Sequence, residues 1–195
     1  MVHDVFIMTL YLDQNLKPLI QSIKPKYSES YILEAFGLKR ISSQSFLISV
    51  GNQLENFWNK VISDSERNNN LIEEDNMVNV AGKLRQVDHY FNIIDEAIKQ
   101  YLESKCNLNF DSEKIKESNK KVGQVKDALG ADCGAYFVPV VREIDQKDLT
   151  KYNNKGLNVY GVRWLLSKVD AQFTEDDYFN YLKDVIAPIL VEKGL

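Results

Sequence analysis

The chain has 195 residues, of which 24 are Lys or Arg and 28 are Asp or Glu, giving a formal net charge of -4. That length fits one domain, or one domain with a small appendage, and 44% apolar residues suffice for a core, so wholesale disorder is excluded. The acidic balance argues against coating nucleic acid by bulk charge, but leaves room for a local basic surface or for metal ions.

In chain order, residues 10–22 read as a helix closed by Lys24-Pro25, because the residue before proline avoids the α region. Residues 28–38 read as a second helix, anchored by Tyr31, Leu33 and Phe36 with Gly37 near its end. Ser42 or Ser43 caps a longer helix to about Asp64, where Phe46, Val50, Leu54, Phe57, Trp58, Val61 and Ile62 recur at helical spacing. Residues 67–80, with Asn68-Asn69-Asn70 and several acids, read as a loop with room for one short strand. Two β-branched and aromatic runs follow, 84–91 and 97–105, joined by a turn at 92–96. Residues 111–129 form a Lys-rich helix with Asp111 as N-cap and Gly130 as its stop. Residues 135–141 read as a buried strand in which Pro139 implies an edge or a bulge. Residues 145–158 read as a polar loop and 157–160 as a last strand. Thr174 heads a Thr-x-x-Asp capping box with Asp177 and opens a helix to about Leu190, which Pro188 kinks or stops. The order helix, strand, strand, helix, strand, strand, helix predicts an α/β fold with a mixed central β-sheet flanked by helices.

Cys106 and Cys133 are too few for a disulfide framework and read as reduced thiols, at least one buried, in a cytoplasmic protein. With only His3 and His89, a histidine-built zinc site is not expected. The first residues lack a basic leader and a small-residue cleavage site, so no signal peptide is expected. No apolar run approaches the roughly 20 residues that span a bilayer, so no membrane partner is expected.

The chemistry concentrates in Val87-Asp88-His89-Tyr90-Phe91 and Tyr101-Leu102-Glu103-Ser104-Lys105. Strand side chains alternate faces, so Glu103 and Lys105 point one way and Ser104 the other. If the two runs pair as a hairpin, Asp88 comes close to Glu103. Two carboxylates and an ammonium then share one side of an otherwise apolar sheet. Two hard oxygen ligands suit Mg²⁺, which also takes waters and substrate phosphate. Lys105 could orient or deprotonate a metal-bound water. A nearby anion keeps a lysine protonated, which favours orientation and charge stabilisation.

The longer match, Arg85-Gln86-Val87-Asp88 through Glu103-Ser104-Lys105-Cys106-Asn107-Leu108-Asn109-Phe110-Asp111-Ser112-Glu113-Lys114, resembles the PD-(D/E)XK nuclease superfamily, and type II restriction endonucleases in particular. The resemblance covers roughly residues 45–125; residue 87 is Val where the motif name has Pro. It implies Asp88, Glu103 and Lys105 as catalytic residues, with Asp88, Glu103 and the Ser104 backbone carbonyl on the metal. Glu55 matches, in order and context, the early-helix glutamate that often joins the metal site. The implied fold is a restriction-endonuclease-like core over residues 43–143, with a helical N-terminal extension over 1–42 and a recognition or packing region over 144–195, all in one nuclease domain. The implied activity is Mg²⁺-dependent, in-line hydrolysis of double-stranded DNA at a specific short site, leaving 5′-phosphate and 3′-hydroxyl ends. Implied partners are a second copy in a homodimer, through the N-terminal helices or the C-terminal helix, and a cognate DNA methyltransferase as genetic partner.

Bland alternatives stand beside these. Asp88 could pair with Arg85 or Lys105, Glu103 and Lys105 could be a solvated strand face, and Glu55 could salt-bridge Lys60. His89 reads as a packed or hydrogen-bonded histidine, and Asp111 and Glu113 as dipole-favoured helix starters. Candidate DNA contacts are Lys114, Lys120 and Lys121 on the Lys-rich helix, Lys151, Asn153, Asn154 and Lys155 in the polar loop, and Arg142 and Arg163 flanking it. The Asn68-Asn69-Asn70 segment is a weaker one. Two other readings remain: a nuclease of the same superfamily in repair or mobile-element processing, and a non-catalytic interaction module in which Asp88, Glu103 and Lys105 form a salt-bridge network.

Overall fold

The structure, a computed structural model, describes residues 2–24, 27–28, 41–42, 44–72, 76–106, 108 and 111–193. It divides into two compact units, Met1–Phe57 with Gln172–Leu195, and Trp58–Ala171. Among the described residues, no helix is long and apolar enough to cross a membrane.

The first unit begins with α1 (Val2–Asn15) and α2 (Lys17–Ser22), which are separated at Leu16. The expected single helix over 10–22 is thus two, and the first starts eight residues earlier. Pro18 sits in the first turn of α2 and has no amide to carry the ladder across, which is why the break falls there. Leu12, Leu16 and Ile20, one turn apart, are buried as one stripe. The strands β1 (Tyr27–Ser28) and β2 (Ile41–Ser42) pair antiparallel. The helix expected over 28–38 therefore loses Ser28 to β1, and the rest of it lies outside the described residues. The long helix α3 (Gln44–Asp64) runs as its apolar spacing predicts.

The second unit is built on a five-stranded sheet. Its strands are β3 (Asn68–Asn70), β6 (His89–Ile93), β7 (Ile98–Ser104), β8 (Cys133–Val138) and β9 (Asn158–Gly161), in that spatial order. β6 runs antiparallel to both its neighbours, β3 and β7, while β7, β8 and β9 are mutually parallel. Each parallel step uses a helical crossover, α4 (Ser112–Leu129) and then α5 (Gln146–Asn153). A short α6 (Val162–Leu166) follows β9. A separate ribbon, β4 (Met77–Val80) and β5 (Lys83–Gln86), turns through Ala81 and Gly82, both with positive φ.

Alternation sorts the sheet's two faces. Tyr90, Tyr101, Tyr136, Val138 and Val159 share a core with Ile115, Val122 and Val125 of α4 and Tyr152 of α5. His89, Phe91, Leu102 and Phe137 are buried on the opposite side, where Trp58 meets Phe137 edge-on. Gly134 lets α4 lie close on the sheet, since a Cβ there would stand 2.9 Å from Val122 Cγ1.

Several boundaries differ from expectation. The run 84–91 is not one strand: β5 belongs to the ribbon and β6 to the sheet, with Asp88 at the joint. The Asn68–Asn70 segment is an edge strand, not a loop, and Asn68 is buried, its amide donating to Ser65 Oγ and the Lys168 carbonyl. β8 is interior to the sheet and stops before Pro139, so neither an edge nor a bulge is needed. The polar loop over 145–158 contains α5, capped by Asp145, which accepts from the Asp148 amide. Neither thiol is buried: Cys106 is exposed, Cys133 is half-buried, and neither is in a disulfide. The Asp111 cap, the left-handed Gly130 stop and the Thr174–Asp177 capping box form as expected.

The chain then returns to the first unit with α7 (Glu175–Tyr181), a π-helical turn at Leu182–Ile186 and α8 (Ala187–Glu192). Pro188 does not stop the helix; it lies in the first turn of α8, and the widened turn before it absorbs the missing amide. Tyr11, Phe57, Phe173 and Tyr178 form the aromatic centre of this unit, with Phe57 stacked on Tyr178 at 6.0 Å.

Candidate functional site

The antiparallel register pairs His89 with Leu102 and so sets Asp88 opposite Glu103. Asp88 Oδ2 accepts from the Ser104 amide at 2.8 Å. Its carboxylate therefore extends the ladder just before β6 begins. Among the described residues it forms no ion pair, although it is only 8% exposed. Burial, then the charge of Glu103, pushes the Asp88 carboxyl up to about 6, with the Ser104 amide and the two lysines below acting in the opposite sense.

Glu103 is 2% exposed and fully occupied. Oε1 accepts from Lys105 Nζ at 2.7 Å and from Lys121 Nζ at 2.5 Å, and Oε2 accepts from the Tyr101 hydroxyl at 2.7 Å. Burial would push Glu103 up, but Lys105, Lys121 and Tyr101 together hold it below the ordinary glutamate range. Burial likewise works to lower Lys105, and Glu103 overrides it, so Lys105 stays an ammonium. Burial keeps Tyr101 a neutral donor. Its place in the cluster follows from alternation, because Tyr101 and Glu103 are two residues apart on one face of β7 and Lys105, just past its end, continues that spacing.

Lys121 comes from α4, on the flank of the stripe that buries Ile115, Val122 and Val125. Sequence reading placed it among phosphate contacts, whereas the structure puts its ammonium on Glu103. The signal was its helical offset, three residues beyond Ser118 and four before Val125, which sets it beside the buried stripe. Tyr101 was missed, although its i−2 position before Glu103 marks it.

Asp88, Glu103 and the Ser104 backbone provide hard oxygen donors suited to Mg²⁺. Among the described residues, no group of three or more His, Cys, Asp and Glu side chains forms a metal centre. A pair of carboxylates leaves positions for water and substrate oxygens, as Mg²⁺ sites do. Lys105 and Lys121 balance the two carboxylates in formal charge, but both ammonium groups sit on Glu103, and burial beside Glu103 makes an ionised Asp88 costly in a way that a divalent cation would relieve, so the residues fit such an ion. Glu55 is half-buried on the part of α3 that belongs to the first unit, and Lys60 pairs with Asp64 at 2.9 Å. His89 is fully buried, with Nδ1 2.6 Å from Asn59 Oδ1, and burial lowers it to about 3, so it is a neutral packed residue.

The candidate DNA contacts fall into three places. Lys114, Lys120 and Lys121 line a groove of about 410 Å³ with Arg85, Glu117, Ser118 and Gln124. Arg142 and Arg163 line a separate cleft of about 790 Å³, where Tyr160 stacks on Trp164 at 4.0 Å and Arg163 pairs with Glu143 at 2.6 Å. Lys151 and Asn153 are on α5, with Lys151 Nζ 5.6 Å from the Tyr152 ring centre. Asn154 and Lys155 follow at its end, where the Lys155 carbonyl accepts from Asn119. No protein-family model and no curated protein matches the chain.

Proposed function

We propose that the protein is a Mg²⁺-dependent endonuclease of double-stranded DNA, of the type II restriction kind. The observation that carries this reading is the pair Asp88 and Glu103: two buried carboxylates face each other, Glu103 on β7 and Asp88 just before β6, and among the described residues Asp88 forms no ion pair. A salt-bridge network built only for stability would leave neither carboxylate unneutralised, since an unpaired buried charge is costly. The two lysines on Glu103 suit a structural cluster; Asp88 does not.

In this reading Asp88, Glu103 and the Ser104 carbonyl would hold the metal. A bound Mg²⁺ would supply charge stabilisation at a phosphate oxygen and acidify a water. Lys105, held as an ammonium by Glu103, orients the attacking water and neutralises charge on the phosphoryl oxygens instead of removing a proton. Water adds to phosphorus as the bond to the 3′-oxygen breaks, leaving a 5′-phosphate and a 3′-hydroxyl. The groove of Arg85, Lys114 and Lys120 would hold the backbone. A homodimer would present two such sites to the two strands of a symmetric sequence. A cognate methyltransferase would protect the host's own copies of that sequence.

The test is incubation with plasmid and phage DNA, with and without Mg²⁺. Discrete fragments are expected only with metal, and none from Asp88→Ala, Glu103→Gln or Lys105→Ala. Full cleavage by Asp88→Ala would refute the reading. Nicking confined to lesions or branched structures would move the assignment to a repair or mobile-element nuclease.

A further inference from the structure

Glu103 Oε1 is shared by two ammonium groups, and the two differ in kind. Lys105 lies one residue past the end of β7, two residues from Glu103, and is fixed there by its amide, which donates to the Phe137 carbonyl at 2.8 Å. Lys121 reaches the same oxygen from another element, α4, and its side chain is 40% exposed. It also lines the neighbouring groove with Arg85, Lys114 and Lys120. Lys121 therefore stands between a buried anion on one side and a cationic groove on the other.

That groove has the chemistry of a phosphate site. Four cationic side chains and one acid, Glu117, line it with Ser118 and Gln124, and Asp111 beside it pairs with Lys114 at 3.7 Å. Arg85 comes from the exposed ribbon strand β5 and the rest from α4, so the cations converge from two elements. Four like charges in one groove repel each other, and Lys121 is relieved of that repulsion by turning to Glu103. A bound phosphate reverses the preference, because it neutralises the groove and offers Lys121 a second anion.

We propose that Lys121 is an exchangeable counter-ion: a DNA backbone phosphate seated among Arg85, Lys114 and Lys120 draws it off Glu103 and frees that carboxylate for the metal. This rests on the nuclease reading above. Duplex binding and metal binding are then cooperative, and the coupling is reciprocal, as linkage requires. Lys121 acts as a positioning residue, because it sets the state of Glu103 without touching the reacting atoms. The enzyme withholds its complete metal site until DNA is in place.

The test reads binding and not cleavage. Mn²⁺ affinity is measured without DNA by loss of the free-ion resonance, for wild type, Lys121→Gln and Glu103→Gln. Removing the competing ammonium is expected to tighten Mn²⁺ binding about tenfold in Lys121→Gln, an electrostatic effect of one neighbouring charge, while Glu103→Gln loses it. Affinity for a short random-sequence duplex is then measured with and without Ca²⁺. The enhancement by Ca²⁺ should be smaller in Lys121→Gln by the same factor by which its DNA-free affinity rose; a merely structural lysine would not link the two numbers. In Arg85→Gln, which alters the groove but leaves Lys121 on Glu103, more duplex is needed for the same enhancement. If Lys121→Gln binds Mn²⁺ no better than wild type while Glu103→Gln abolishes binding, the exchange is overturned and the nuclease reading stands. If Glu103→Gln binds Mn²⁺ like wild type, the metal site itself is wrong and both readings fall.

Discussion

The Ser104 amide donates to Asp88 Oδ2 at 2.8 Å, so the backbone of one strand holds the carboxylate at the end of its neighbour. That single hydrogen bond fixes Asp88 beside Glu103 without neutralising it. Raising the carboxyl from 3.8 to about 6 corresponds to about 3 kcal/mol of cost for keeping Asp88 ionised at neutral pH. Asp88→Asn retains an acceptor for the amide and removes the charge. The metal-free variant should be more stable than wild type by up to about 3 kcal/mol in urea unfolding at pH 7, while cleavage is lost. A less stable Asp88→Asn would show that the carboxylate is not strained.

Asp88 and its chain neighbour His89 pull stability in opposite directions with pH. The raised carboxyl protonates in the folded state first, so its contribution is present at low pH and lost as pH rises from about 4 through about 6. The depressed imidazole, at about 3 against 6.5, contributes stability present above 6.5 and lost as pH falls. Between about 4 and 6 the two largely cancel, each with a slope of about 1.4 kcal/mol per pH unit. Asp88→Asn should expose the histidine's acid loss across that window, and urea midpoints between pH 4 and 6 would detect it. Equal pH slopes in the variant and wild type would rule out this pairing.

Tyr101→Phe removes only the hydroxyl that donates to the buried Oε2 of Glu103. The orphaned oxygen should cost about 1–3 kcal/mol of stability. The same measurement on Tyr90→Phe, whose hydroxyl bonds the Leu129 carbonyl outside the cluster, serves as the comparison.

Lys114 and Lys120 are exposed and line the cationic groove. Changing either to Gln should weaken duplex binding at all sequences and reduce the slope of log affinity against log salt by about 1. A salt titration by fluorescence anisotropy checks this; unchanged slopes would place the DNA elsewhere, with the cleft around Arg142 and Arg163 the next place to look.

Features set by near neighbours in the chain were legible. Asp111 caps α4, Gly130 ends it, and Thr174 with Asp177 opens α7, because each depends on a few local hydrogen bonds. Strand alternation likewise brings Glu103 and Lys105 together. What was not legible depends on distant partners. The β5–β6 break at Asp88 exists because β5 finds β4 while β6 finds β7, a competition that periodicity does not record. Helix α5 hid in a polar segment because only Tyr152 among its residues is buried, too little for an apolar stripe. Lys121 reads from the sequence as a candidate phosphate contact, since its meeting with Glu103 depends on how closely α4 lies over Gly134.

The two lysines on Glu103 also bear on how the molecule is made. The carboxylate at the centre of the site is already neutralised by groups of the same chain, so folding does not wait for an inorganic ion. The protein should emerge folded from a chelator-treated preparation, with a far-ultraviolet spectrum and melting temperature unaffected by EDTA. On the nuclease reading, the metal would be a late reagent and not a structural component. If the nuclease reading holds, a cell can keep the folded apoprotein inactive until metal and DNA arrive together.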